Sequence, residues 1–495
     1  MNARTPGLSR QKRGARDPVK AHTSDAPLRL ALAPGFSRRE VPVSTRTFAE
    51  DALEWAFRAC LTVAHELPMT VEELEIRPAR APLHADIALP GSKSITNRAL
   101  LLAAMASGRS TIEAALLSDD TSAMTAALRA LGFRVEVDEA LRRITVDGLG
   151  GAIPASSAEL FVGGAGTAMR FIVGFLTLGQ GRYRVDGNQR MRQRPMGPLL
   201  DALQQLGASV YAERDNRRPP VIVESRRSAF GGGQTTIDAR TSSQFVSAVV
   251  MPAALWPRGL KLRVLGDAGR PFIEMTLRLM EVWGVRSEVD GDVITVPGGQ
   301  TYHARQFVVE PDVSAAGYFA AAAALCGGEV RIEGLHRDSV QGDLGFFDLL
   351  ERMGARAVWA DDGVVISGTG RLDGVDVAMN SMPDMVPTLA AIAPFASSAT
   401  RIREVGFIRY HESDRLRALA TELRRLGATV ADYEDGIGIE PSRLAPATIE
   451  TYDDHRIAMS FAVAGLKLAG VKIKDPACVS KTFPDFFDRL AELTR

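Results

Sequence analysis

The residues equipped to do chemistry fall in short polar segments, and each segment stands directly before an apolar run. Leu89-Pro90-Gly91-Ser92-Lys93-Ser94-Ile95-Thr96-Asn97-Arg98 precedes the charge-free residues 99–107. Small polar residues followed by an apolar run read as a buried helix whose N-terminus opens into a cleft, with Gly108 as its C-cap. Free backbone N–H groups and the helix dipole favour an anion there, and Lys93 and Arg98 add full charges beside them. The segment is not a P-loop, because Ser92 stands where a glycine would have to precede the lysine.

The same construction returns further along. Gly163-Gly164-Ala165-Gly166-Thr167-Ala168-Met169-Arg170 places glycines where backbone can approach a ligand closely, although Met169 breaks the dinucleotide fingerprint. Arg190, Arg192 and Arg194 crowd one loop; Ser242-Ser243-Gln244 precede Phe245; Asp312 and Ser314 follow Pro311; Asp384 follows Pro383. Arg409-Tyr410-His411-Glu412-Ser413-Asp414-Arg415 is the densest charged cluster, and Tyr452-Asp453-Asp454-His455-Arg456 and Ser480-Lys481-Thr482 close the series.

Taken singly, each segment has a plainer explanation: helix capping, solvated cations or, for the glycine-rich one, a tight turn before a core helix. Adjacent Asp453, Asp454 and His455 would not face one point on a helix, which argues against a metal. Taken together, Lys93, Arg98, Arg190, Arg415, Arg456 and Lys481 would, if they converge, clamp a small ligand carrying several phosphate and carboxylate groups. In that cationic setting Asp384 and Glu412 become candidates for proton transfer.

Behind these segments lies a repeat. Leu128-Arg129-Ala130-Leu131-Gly132 recurs in form at Gly207, Gly284, Gly354 and Gly427, at intervals of 70 to 77 residues, each time ending an amphipathic helix before a strand-like stretch. A last helix at residues 486–493 arrives where the next step falls, without the glycine. Between the amphipathic helices lie nearly charge-free ones, at residues 245–255, 315–326, 385–393 and 457–465. A helix apolar on every side belongs in a core, so six α/β units in two groups of three, with buried helices inside, are expected.

The 495 residues carry 59 basic and 59 acidic side chains, so no global field argues for nucleic acid or membrane. Cys60, Cys326 and Cys478 have no metal-ligand spacing and are too few for a disulfide framework. Residues 1–46 are Arg-rich without apolar periodicity, which fits a disordered extension better than a transit peptide. Residues 47–65 read as an amphipathic helix within a helical extension over 47–70, and residues 71–89 as strand material.

From about Val71 to Arg495 the chain closely resembles the 5-enolpyruvylshikimate-3-phosphate synthase family of enolpyruvyl transferases. The resemblance rests on Leu-Pro-Gly-Ser-Lys-Ser-x-x-Asn-Arg-Ala, Ala-Gly-Thr-Ala-Met-Arg, Arg-Met-x-x-Arg-Pro, Ser-Ser-Gln-Phe, His-Glu-Ser-Asp-Arg-Leu, Asp-His-Arg-x-Ala-Met and Ser-Lys-Thr-Phe-Pro-Asp, in that order. It implies an α/β fold of two domains, each of three βαβαββ repeats with buried parallel helices, an inside-out α/β barrel. The crossings near Gly91 and Glu310 would assign residues 71–91 plus 311–495 to one domain and 92–310 to the other.

The resemblance further implies transfer of enolpyruvyl from phosphoenolpyruvate to the 5-hydroxyl of shikimate 3-phosphate, with no cofactor and no metal, by a cytoplasmic monomer. Lys93, Ser94, Arg98, Ser242, Ser243, Gln244, Asp384 and His411 would hold shikimate 3-phosphate. Lys93, Gly166, Arg190, Gln244, Arg415, Arg456 and Lys481 would hold phosphoenolpyruvate, in a pocket that in the family also takes glyphosate, so that a methyl on Gly166 would intrude on the ligand. Asp384 would be the base on the attacking hydroxyl, and Glu412, with Lys93, the proton carrier at the methylene carbon.

Gly164, Gly269, Phe272, Phe407 and His411 depart from the better-known bacterial pattern, which has Asn, Ser, Tyr, Asn and Lys there. The first four remove hydrogen-bonding groups; a His at the last place occurs in other members. Two alternatives stand beside this reading. A UDP-N-acetylglucosamine enolpyruvyl transferase would in most cases carry a Cys in the loop 188–195 and an Asn after Lys93, and neither is present. A catalytically silent homologue that binds phosphorylated ligands would have no need of both Asp384 and Glu412.

Overall fold

A computed structural model describes residues 72–80, 82–226 and 230–494. The expected extensions over 1–46 and 47–70 lie outside the described residues.

One repeat unit is laid out in full by the strand Ser157–Phe161, the helix Gly166–Phe175, the strand Gln180–Asp186, the helix Gly197–Gln205 and the strands Ser209–Ala212 and Val221–Arg226. The first two strands pair in parallel, Ser157 opposite Arg182, which demands a crossover; the apolar helix supplies it. The last two form an antiparallel hairpin whose second strand returns beside Gln180–Asp186. The same order of first, second, fourth and third strand recurs in the sheets Gly233–Val296 and Asp376–Ile439.

The other three sheets are completed by chain from elsewhere. Gln306–Val308 supplies the first strand beside Ser107–Glu113, and Leu83–Ile87 the first strand beside Gly328–Glu333. Glu73–Glu75 runs antiparallel to Lys472–Lys474, in the position a returning hairpin strand holds in the other sheets. Among the described residues six sheets result, as the repeat implies.

Every helix-end glycine of the repeat is left-handed, with φ of 92°, 93°, 91°, 104° and 90° at Gly132, Gly207, Gly284, Gly354 and Gly427. A side chain at that φ is strained, so glycine ends the helix and turns the chain into the following strand. Gly108 behaves differently. The first buried helix, Lys93–Met105, ends without it; Ala106 returns its N–H to Leu102 and Ala103, and Gly108 lies inside the strand Ser107–Glu113. The strand follows with no loop, leaving no room for a glycine cap.

Two cores form. One collects apolar side chains from Ile95 to Val309, the other from Ile76 to Ile87 and from Val313 to Leu493. At the centre of the first pack the helices Lys93–Met105, Gly166–Phe175 and Gln244–Ala253; at the centre of the second pack Val313–Cys326, Val386–Ile392 and His455–Gly465. Burying each large apolar side chain contributes roughly 1.5–3 kcal/mol, enough for these helices to go without polar faces. Gly174 lets two of them touch, since a Cβ there would strike the Ala248 carbonyl. Between the lobes the two connections run side by side, with Gly91 bridged to Pro311 and Ser92 N–H donating to Glu310 O at 2.8 Å. No helix among the described residues is long and apolar enough to cross a membrane.

Candidate active site

The N-terminal ends of the buried helices face one cleft between the lobes. A cavity of about 60 Å³ is walled on one side by Lys93, Ser94, Arg98, Thr167, Ser242, Ser243, Gln244 and Phe272, and on the other by Asp384, Phe407 and His411. Residues 94 and 411 are thus brought together by folding alone. Arg98 is buried and, among the described residues, bonds only neutral acceptors: Thr276 Oγ1 at 2.8 Å, Ser94 O at 3.0 Å, Phe272 O at 3.0 Å and Ser247 Oγ at 3.3 Å. Burial lowers its pKa to about 9. Gly269, Phe272, Phe407 and His411, four of the departures, all line this cavity.

Arg415, 1% exposed, is the hub of the second lobe. Its Nε meets Asp454 Oδ2 at 2.9 Å, its Nη2 meets Glu412 Oε2 at 2.8 Å, and its Nη1 meets Asp384 Oδ1 and His411 Nδ1, both at 3.1 Å. Arg456 holds the other oxygen of Asp384 at 2.7 Å. Burial favours the neutral acid at Asp384, but Arg456, Arg415 and Lys93 outweigh it and hold the carboxyl below its usual range. Glu412 is lowered likewise, burial being overcome by Arg194, Arg415 and Lys481. His411 is pushed down to about 3 by burial and then by Arg415, so at neutral pH its imidazole is uncharged. An uncharged ring that accepts from Arg415 at Nδ1 carries its proton on Nε2.

Across the cleft, Arg190 donates to the backbone carbonyls of Glu412 at 2.8 Å and of His411 at 2.9 Å. Lys481 donates to Gly164 O at 2.7 Å and pairs with Asp120 at 3.3 Å; Lys93 lies 3.7 Å from the same carboxylate. The sequence-predicted cations therefore do converge. Gly166 needs a correction: the space over its Cα is filled by protein, because a Cβ there would fall 2.5 Å from Arg194 Nη1 and 2.7 Å from Arg170 Nη1. A methyl would press on the two guanidiniums before it reached any ligand.

Sequence reasoning missed four residues. Asp120 joins two lysines of different segments, and its only signal was an acidic pair opening the helix Asp119–Ala130. Asp454, considered only as a metal ligand, accepts from Arg415, from Ser413 at 2.9 Å and from Arg456 N at 3.0 Å. Arg170 was read only as the end of the glycine-rich segment and Arg194 only as one cation of a basic loop, yet both are buried.

Two anchored carboxylates in a ring of cations suit proton transfer on a multiply charged anion, and comparison with known proteins points the same way. The family model described as EPSP synthase (3-phosphoshikimate 1-carboxyvinyltransferase) matches residues 78–490. The chain belongs to the EPSP synthase family. It is 44% identical over 425 residues to the 3-phosphoshikimate 1-carboxyvinyltransferase of Nostoc sp., covering 86% of this chain and 100% of that one. It is 45% identical over 431 residues to the Vibrio cholerae serotype O1 protein of the same name, with the same coverage. Among solved structures, an EPSP synthase from Acinetobacter baumannii superposes with a TM-score of 0.72 at 26% identity, over 85% of this chain and 98% of that one. The six-sheet, two-lobe architecture is that of the EPSP synthase fold.

Proposed function

We infer that this chain transfers the enolpyruvyl group of phosphoenolpyruvate to the 5-hydroxyl of shikimate 3-phosphate, releasing phosphate, as a step of the shikimate pathway. The observation that carries the chemistry is the shared hold of Arg415 on Asp384 and Glu412, which sets two carboxylates on either side of one guanidinium. In this reading the cavity beside Arg98, Ser242 and Ser243 takes shikimate 3-phosphate, with Asp384 on its wall as base for the 5-hydroxyl. Gln244, whose Nε2 donates to Thr167 at 3.4 Å, stands between this cavity and the arginine-rich side.

Phosphoenolpyruvate lies toward Gly166, Arg190 and Lys481, its carboxylate on Arg415 and Arg456. To reach them it replaces Asp384 on at least one arginine, and the freed carboxylate regains basicity at the moment it is needed. Glu412, with Lys93, delivers and recovers the proton at the methylene carbon. Fixed cations around the phosphate supply the main rate term by electrostatic preorganisation. Residues 71–91 plus 311–495 and residues 92–310 act as the two closing domains of a cytoplasmic monomer.

The test is phosphate release from phosphoenolpyruvate with and without shikimate 3-phosphate. Release that depends on both substrates is expected. Release with UDP-N-acetylglucosamine as acceptor instead, or none with either, would overturn the reading.

A further inference from the structure

Three arginines share the loop Asn188–Met196, and they do three different things. Arg192 turns outward and pairs with Asp186 at 2.6 Å. Arg190 crosses to the carbonyls of the other lobe. Arg194 turns inward, its side chain 6% exposed, and its Nε has no hydrogen-bond partner among the described residues. Among the described residues its one carboxylate neighbour within 4 Å is Glu412, at 3.5 Å from Nη1 to Oε1.

The surroundings of this guanidinium are electrostatically wrong for a cation. It lies over Gly166, the first residue of the helix Gly166–Phe175, against the positive end of that helix dipole. Arg170 stands beside it, bonded among the described residues only to Gly166 O, Pro195 O and the Met191 sulfur. Arg190 and Lys481 are close enough for Arg194 to weigh on the charge of both. Four cations and a helix N-terminus crowd one spot, and among the described residues Glu412 alone answers Arg194. An anion with several oxygens relieves that repulsion by accepting from the fork of Arg194 and the free helix N–H groups at once.

We propose that Arg194 is a phosphate-binding residue of the phosphoenolpyruvate site, and that its guanidinium exchanges Glu412 Oε1 for phosphate oxygens as the substrate binds. The exchange links the two ends of the substrate: phosphate capture at Gly166 releases the carboxylate that handles the methylene proton. This inference rests on the functional reading above and extends it to a residue which the family resemblance did not assign.

The experiment compares the full-length chain with Arg194→Gln and Arg194→Lys, by steady-state kinetics in both substrates and by calorimetric titration with inorganic phosphate. Losing a charge-assisted fork should raise the phosphoenolpyruvate KM and the phosphate Kd by about 10-fold or more in Arg194→Gln, and by less in Arg194→Lys. The shikimate 3-phosphate KM should stay within about twofold, the scale of no lost contact. Removing Arg194, the cation that most lowers it, should also raise the pKa of Glu412, moving the acid limb of kcat to higher pH. An unchanged phosphate Kd, or equal rises in both substrate KM values, would overturn the proposal. If Arg194→Gln fails to fold, Arg194→Lys decides on the same phosphate Kd. Because that titration needs no turnover, a wild-type chain that binds phosphate through Arg194 yet shows no transferase activity would refute the functional reading and keep only the phosphate site at Arg194.

Discussion

Asp384 Oδ2 lies 2.7 Å from Arg456 Nη2, a contact between the proposed base and a proposed anchor of the substrate carboxylate. The base is therefore held in check by the groups that recognise its co-substrate. Asp384→Ala should lower kcat by about 10²-fold or more, the scale of lost general base catalysis. Its phosphoenolpyruvate KM should not rise, since Arg415 and Arg456 each lose a competing carboxylate. Wild-type turnover in this variant, measured as phosphate release, would refute the assignment.

Glu412 offers a complementary measurement. Its two oxygens face different arginines, Oε2 toward Arg415 and Oε1 toward Arg194, so a neutral amide keeps the shape and loses the proposed proton transfer. Glu412→Gln should cut turnover by about 10²-fold. In deuterated water, deuterium appearing at the methylene carbon, followed by proton NMR, should fall in step. Exchange at the wild-type rate would place the proton carrier elsewhere.

His411 provides a pH test of stability. Its folded pKa of about 3 lies below the ordinary 6.5, so between these values the unfolded chain binds a proton that the folded chain refuses. The stability it contributes is complete above about 6.5 and is lost as pH falls toward the folded pKa. Arg415 and Arg194 oppose its protonation and Glu412 and Asp384 favour it, the arginines and burial prevailing. Melting temperatures at pH 7.5 and 5 should therefore drop further for wild type than for His411→Asn. Parallel drops would mean that the ring is solvated.

The difference between what was legible in the sequence and what was not follows the range of the interactions. Local backbone chemistry wrote itself into the chain: the glycines at 132, 207, 284, 354 and 427 are left-handed because a helix must end there, and so the six-unit repeat is legible in the sequence. Convergence could not. Asp120 and Lys481 are neighbours across 361 positions, and nothing in the spacing of either announces the other. Arg194 sits two residues from Arg192 in the same basic loop, yet one is buried on a helix N-terminus and the other pairs at the surface. Only the turn of the short helix Met191–Gln193 separates their directions.

Truncation separates the extension from the fold. Residues 1–46 show no periodic apolar face, and a chain starting at Val71 keeps the strand Glu73–Glu75 with its partner Lys472–Lys474. Its melting temperature should match the full chain, with kcat/KM within about twofold, as expected when little packing is lost. A chain starting at Pro78 also loses Ile76, which is 5% exposed and packs on Gly465, and should melt lower. A large loss already at Val71 would show that the first 70 residues contribute to the core.

Gly166→Ala tests the crowded end of the cleft. The added methyl would fall 2.5 Å from Arg194 Nη1 and 2.8 Å from its Cζ, inside any allowed contact, and 2.7 Å from Arg170 Nη1. Both are the ends of flexible side chains, so the backbone can stay while the guanidiniums retreat into the space a phosphate group needs. Overpacking of this kind costs on the order of 1–3 kcal/mol, or roughly 5-fold to 100-fold and more in affinity. Glyphosate is longer than phosphoenolpyruvate and has less slack between the arginines at its two ends, so its Ki should rise by a larger factor than the substrate KM. The combination with Arg194→Gln sharpens the expectation. With the guanidinium gone the methyl has one neighbour fewer to displace, and the two changes should cost less together than the sum of their separate effects. Measured Ki and KM values for the four chains, wild type, both single variants and the double, decide it. Strict additivity would mean that Gly166 acts on the ligand directly, without Arg194 between them.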